Sequence, residues 1–292
     1  MDGERRRFVD AHMHLWDSSA NPWYGFPEPG GDDFGLNLQL PKKFADPFLL
    51  DDYVAALAPA NVVKCVHVTA GIAPENVEAE SAWIAGIARE RGLPNAMIGS
   101  VDPEQPAVEI EAMLDRQMAN PAFRGIRVLA GLDYSTPAAE TILSALASRD
   151  LLYDAVAHPG GIAPLAEAMT RHDGLVVVLE HIGWPLSDDT ATFTGWGAEM
   201  ALLARHPNAH CKLSGLPMFV HRADEGAFRR YLDACIDLFG ADRCMFGSNF
   251  PVDLSYCSFA DILEIFEAVA ADRTAAEAEL LFGGTAERVY RI

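Results

Sequence analysis

Residues 175–183 read LVVVLEHIG, five apolar residues in a row before the polarity changes. An unbroken, β-branched run of this kind predicts a strand covered on both faces, the pattern of a parallel sheet rather than of a half-exposed antiparallel one. A histidine set where such a strand stops, His181, lies where parallel barrels place their chemistry.

The same unit recurs on either side. Candidate strands are FVDAHMHLW (8–16), VKCVHVTA (63–70), NAMIGSVD (95–102) and FRGIRVLAG (123–131). Further ones are LYDAVAH (152–158), AHCKLSGL (209–216) and RCMFGSNFPV (243–252). Amphipathic stretches lie between them, such as PENVEAESAWIAGIARERG (74–92) and EGAFRRYLDACIDLFG (225–240), each ending at glycine, a common helix stop. The stripe Leu232, Ile236 and Phe239 is a helix face packed on the sheet. Eight strands each followed by a helix predict a distorted (β/α)8 barrel formed by one domain over residues 1–292. No GxGxxG follows the first strand, which disfavours a doubly wound open sheet.

One connection breaks the rhythm. After strand 1 comes WDSSANPWYGFPEPGGDDFGLNLQLPKKFADPF, too long for a plain barrel loop and rich in Pro, Gly and aromatics. Trp16, Trp23, Tyr24, Phe26 and Phe34 argue for an ordered lid or substrate wall over the C-terminal mouth, with Trp16 against the substrate.

The net charge of −20 over 292 residues repels nucleic acid and anionic lipid. No apolar run approaches the roughly 18 residues of a membrane span. The five cysteines (Cys65, Cys211, Cys235, Cys244, Cys257) show no CxxC spacing. They read as buried thiols, and the expected compartment is the cytoplasm. The expected partner is a small molecule, and a homo-oligomer stays open.

His12 and His14 lie two apart in strand 1. Period-two alternation puts them on one face with Asp10, and Ala11 and Met13 on the other. Two imidazoles at a barrel mouth can chelate a divalent ion or hold an anionic group, with Asp10 orienting a ring from behind. Asn249, in CMFGSNFPVD, ends strand 8 as His181 ends strand 6, and Gly247 and Ser248 let the backbone approach a ligand. Arg124 and Arg127 flank strand 4, and a guanidinium offers a fork for a carboxylate or lactone oxygen, with a surface ion pair the simpler reading of Arg124. His158 ends strand 5 and could touch substrate, as could Lys212, which shares a face of strand 7 with Ser214 and either points inward or supports the barrel base.

In this order and spacing, DAHMHLWD, GIRVLAG, LEHIGWP, KLSGL and RCMFGSNFPVD resemble the amidohydrolase superfamily, and within it the amidohydrolase-2 group of sugar-lactone and pyrone-dicarboxylate lactonases. The resemblance runs from about residue 7 to 292. It implies hydrolysis of a lactone or related cyclic ester. It also implies that His12, His14 and His181 hold one Zn²⁺-like ion or, without metal, polarise the carbonyl. Binuclear relatives carry a bridging lysine on strand 4, which FRGIRVLAG lacks.

The resemblance breaks at strand 8, where the group's GSDWP is Gly247-Ser248-Asn249-Phe250-Pro251. An amide takes no proton from water at neutral pH, so Asn249 acts through hydrogen bonds and the general base stays open between His181, His67 and Asp253. His67 shares a face of strand 2 with Cys65 and Thr69, and Asp253 reaches the site only if the chain turns back. Two other readings follow: a metal-dependent decarboxylase of an aromatic acid, and a binding protein that has lost its carboxylate.

Overall fold

The computed structural model describes residues 5–25, 44–185, 187 and 189–292. Eight strands form one parallel sheet in sequential order. They are β1 (Arg7–Met13), β2 (Asn61–Val68), β3 (Ala96–Gly99), β4 (Phe123–Ile126), β5 (Leu152–Ala155), β6 (Val177–Leu179), β7 (Ala209–Leu213) and β8 (Cys244–Phe246). Beyond β8 the chain returns to β1: Met13 bridges Phe250 in parallel, and His14 N–H donates to Phe250 O at 2.8 Å. The sheet is thus a (β/α)8 barrel.

Most strands are shorter than their apolar runs. At the C-terminal ends the backbone leaves the ladder early, and those freed residues build the site.

The helices α1 (Leu50–Ala56), α2 (Val77–Arg91), α3 (Ala107–Gln117), α4 (Pro137–Ser148), α5 (Ile162–Met169) and α6 (Thr190–Leu203) cover the first six strands. A single turn, α7 (Pro217–Val220), precedes α8 (Glu225–Phe239), and α9 (Phe259–Ala271), α10 (Ala275–Glu279) and α11 (Thr285–Tyr290) follow β8. Helix α2 stops at Gly92, whose φ of 75° is the left-handed cap expected there.

Val9, Ala11, Val66, Val68, Ala96, Ile98, Val178 and Met245 fill the barrel, and Ala286, Val289 and Tyr290 of α11 close its floor. Arg124 is not a surface ion pair: its Nε donates to Tyr290 O at 2.7 Å, tying α11 to β4.

Strand β1 departs from strict alternation. Its register against β2 shifts between Asp10 and Met13. A bulge there re-aims side chains, so Val9 and Ala11 face the barrel interior and His12 and His14 do so as well. Asp10 lies on the other side. It accepts from Tyr53 Oη of α1 at 2.9 Å, from Ser248 N and Oγ at 2.8 and 2.6 Å, and from the His12 backbone at 3.2 Å. The expectation that Asp10 orients an imidazole from the same face is therefore corrected: it locks the start of the site to the end of β8.

The lid expected after β1 falls largely on residues 26–43, including Phe26 and Phe34, which lie outside the described residues. Its root is described. Trp16 is buried, its Nε1 donates to Asp46 O at 2.8 Å, and its ring lies 5.1 Å from that of Phe44 and 6.4 Å from that of His14.

All five thiols are free, four of them buried. Among the described residues no helix is long and apolar enough to cross a membrane.

Candidate active site

His12, His14 and His181 meet at the C-terminal mouth. The His12 and His14 Nε2 atoms are 3.1 Å apart, and the His12 and His181 ring centroids are 4.4 Å apart. His14 Nδ1 lies 2.7 Å from Val68 O and can only donate to it, so Nε2 of that ring carries the lone pair. Burial holds all three imidazoles well below the ordinary histidine range, aided at His12 by Lys212 and at His14 and His181 by Arg127. They are neutral near pH 7.

His181 reaches the site on an unusual turn. His181, Ile182, Gly183 and Trp184 all have positive φ, between 50° and 72°. Left-handed backbone costs roughly 1–2 kcal/mol for each residue with a side chain, most for a β-branched one such as Ile182. Trp196 Nε1 anchors the turn by donating to Ile182 O at 2.6 Å. Room for the His181 ring comes from Gly215, where a Cβ would sit 2.6 Å from ring atoms Cγ and Nδ1. Gly247 does the same for His12, whose Cβ and backbone N are 3.0 Å from where a side chain would begin. Gly247 thus admits a protein side chain rather than a ligand.

The turn also places two groups that the sequence reading passed over. Glu180 is fully buried between the cations and the imidazoles. Its Oε2 accepts from Arg127 Nη1 at 3.0 Å, and its Oε1 lies 3.7 Å from His12 Nδ1 without a hydrogen-bond donor. Trp184 is buried against His181 and His158, at 5.1 and 5.2 Å between centroids, with its indole N–H unpartnered. A carboxylate directly after five apolar residues was the available signal for Glu180.

The other expected residues divide. His158 is half-buried at the rim, and burial lowers its pKa. Arg127 spends both terminal nitrogens on protein, Nη1 on Glu180 and Nη2 on Thr69 O, leaving Nε unpartnered. Lys212 lies inside the barrel beneath the imidazoles rather than at an open surface, bonded to Asp154 and 3.3 Å from His12 Nδ1. His67 is not brought in. Its strand face carries Cys65 and Thr69 toward α1 and α2, its Nε2 faces Leu15 O at 3.3 Å, and burial lowers its pKa to about 3.

Asp253 does turn back, though only behind Asn249. The Asn249 Nδ2 donates to Asp253 Oδ1 at 2.9 Å. Burial pushes the Asp253 carboxyl well above the usual carboxylate range.

His12, Glu180 and His181 could hold one divalent ion, their ligand atoms lying within 4.8 Å of one another. The donor kinds suit such an ion, two imidazoles and a buried carboxylate whose Oε1 lacks a donor, but Lys212 Nζ already lies 3.3 Å from His12 Nδ1, so the set as it stands does not fit one. This set substitutes Glu180 for the His14 of the expected trio.

A (β/α)8 barrel with histidines, a carboxylate and an arginine converging at its C-terminal mouth defines a barrel hydrolase. The amidohydrolase family model matches residues 9–292, and the chain belongs to that family. An uncharacterised protein of Sinorhizobium fredii is 31% identical over 304 residues, spanning 97% of this chain and 98% of its own. An L-fucono-1,5-lactonase of Burkholderia multivorans is 28% identical over 307 residues, 97% and 96% of the two chains. The crystal structure of a Burkholderia multivorans amidohydrolase with bound zinc superposes with a TM-score of 0.80 at 26% identity, over 98% of this chain and 99% of that one.

Proposed function

We propose that the protein hydrolyses a small lactone or related cyclic ester by attack of water on a carbonyl held at His181, within the His12, His14 and His181 cluster. The observation that carries this reading is the meeting of three neutral imidazoles with a carboxylate whose Oε1 lacks a donor, in one buried pocket. A neutral imidazole N–H can donate to a developing oxyanion without first losing a proton. His181 Nδ1 lies 2.9 Å from Ser214 Oγ, and where that hydroxyl donates, Nε2 carries the proton and is the donor offered to the carbonyl.

Glu180 is the base. Its Oε2 is held by Arg127 Nη1, and Oε1 is left to accept the proton of the attacking water. The water oxygen bonds to the carbonyl carbon, the ring C–O bond breaks, and Glu180 returns the proton to the leaving alkoxide. Asn249 bonds Asp253 and takes no proton.

The similarity to an L-fucono-1,5-lactonase supports sugar lactones as the first substrates to try. The buried free thiols and acidic surface support a cytoplasmic enzyme acting on a small molecule.

The test is proton release from a panel of sugar, pyrone and simple lactones. Turnover that falls by about a hundredfold or more in His181→Ala and Glu180→Gln is the expected result. Turnover of aromatic carboxylic acids with none of any lactone would overturn it.

A further inference from the structure

Lys212 sits fully buried in the barrel core, below the pocket. Its ammonium bonds Asp154 Oδ2, lies 5.3 Å from the centroid of the Tyr290 ring, and contacts His12 Nδ1 at 3.3 Å. Tyr290 Oη donates to both oxygens of Asp154, at 3.0 and 3.2 Å, so the carboxylate stays fixed beside the ammonium.

A neutral imidazole has one N–H and one lone pair, and an ammonium can only donate. The contact with Lys212 therefore makes Nδ1 the lone-pair nitrogen of His12 and puts the proton on Nε2. The two contacts of His14 agree. His12 Nε2–H donates to His14 Nε2 at 3.1 Å, and His14 Nδ1–H donates to Val68 O at 2.7 Å. The opposite tautomer would set an N–H against the ammonium and face two lone pairs across that 3.1 Å gap. It becomes favourable only with a cation between them.

We infer that Lys212 occupies the single lone pair of His12 and so holds the cluster as a hydrogen-bonding site closed to divalent ions, whichever substrate the enzyme takes. An ion at Nδ1 would have to displace the ammonium. An ion at Nε2 would have to displace the proton that Lys212 holds there, with a positive charge already next to the ring.

Two measurements on the full chain test this. The first is ¹⁵N NMR of the histidine side chains in the parent, with His12 assigned by the signals lost in His12→Gln. His12 is expected with Nε2 protonated and Nδ1 bare. The second is zinc affinity by titration calorimetry, with bound zinc counted by mass spectrometry, for the parent, Lys212→Gln and Lys212→Gln/Asp154→Asn. The double variant removes the ammonium without leaving a bare carboxylate as a new ligand. Both variants are expected to bind one zinc per chain, tighter than the parent by about tenfold or more. Equal zinc affinity in all three proteins, high or low, overturns the inference, as does a His12 protonated at Nδ1 in the parent. Neither readout requires turnover, so failure here is distinct from failure of the lactonase reading.

Discussion

Arg127 and Glu180 form an ion pair, Nη1 to Oε2 at 3.0 Å, with the guanidinium side chain 4% exposed and the carboxylate fully buried. Only one oxygen of the carboxylate is used. The pair therefore neutralises Glu180 electrostatically and still leaves it an acceptor for water.

Removing one partner of such a pair strands the other. Arg127→Ala is expected to lower stability by about 3–5 kcal/mol in urea denaturation, and Arg127→Met/Glu180→Gln by much less. A similar loss in both would show that the charge pairing is not what the arginine supplies.

Gly215 has φ of 70° and is packed under the His181 ring. Gly215→Ala forces a Cβ to within 2.6 Å of that ring in a backbone region costing about 1–2 kcal/mol. The expected outcome is a fall in kcat of about tenfold or more with a smaller change in KM, read from lactone kinetics. Unchanged kcat would mean that the position of His181 does not limit the reaction.

At Asn249 an acid is expected to harm. The amide donates to Asp253 Oδ1 at 2.9 Å, and in Asn249→Asp two buried carboxyl groups would meet there and have to share a proton. Loss of activity, and a melting temperature that falls more steeply with rising pH than the parent's, are expected. A large gain in turnover would instead mark a site that lost its acid.

Glu80 of α2 reaches the end of β2, accepting from Thr69 Oγ1 at 2.5 Å, Ala70 N at 3.1 Å and Tyr24 Oη at 3.4 Å. Burial raises its pKa to about 7 from 4.5, against the opposing pull of its hydrogen bonds and of Arg127. The folded form thus holds the proton more tightly than the unfolded chain. Its contribution is intact below the unfolded value and falls as pH rises through about 7, by on the order of 3 kcal/mol. Glu80→Gln should flatten the dependence of melting temperature on pH between about 4.5 and 7. Parallel curves for the two proteins would remove Glu80 as a source of that slope.

The barrel was legible because a parallel strand covered on both faces must be apolar throughout, and eight such runs alternate with helices. His12, His14 and His181 were legible for the same reason: a polar residue in such a run stands out. What was not legible depended on breaks in regularity. The β1 bulge reversed the face assigned to Asp10, since one extra residue changes the parity of all that follow. Glu180 and Trp184 are aimed by four left-handed residues, of which only Gly183 is a type that favours that conformation. The commitments of Lys212 and Arg127 depend on partners about 50 or more residues away, Asp154 and Thr69, which strand spacing does not reveal.

The tie between Tyr290 and Asp154 gives the two ends of the barrel a common fate. Through Asp154 and Lys212, a phenol on the closing helix is three contacts from the His12 ring at the mouth of the barrel. A change on the side of the molecule farthest from the reactant would therefore be felt as chemistry as well as stability. The floor of this barrel belongs to its active site.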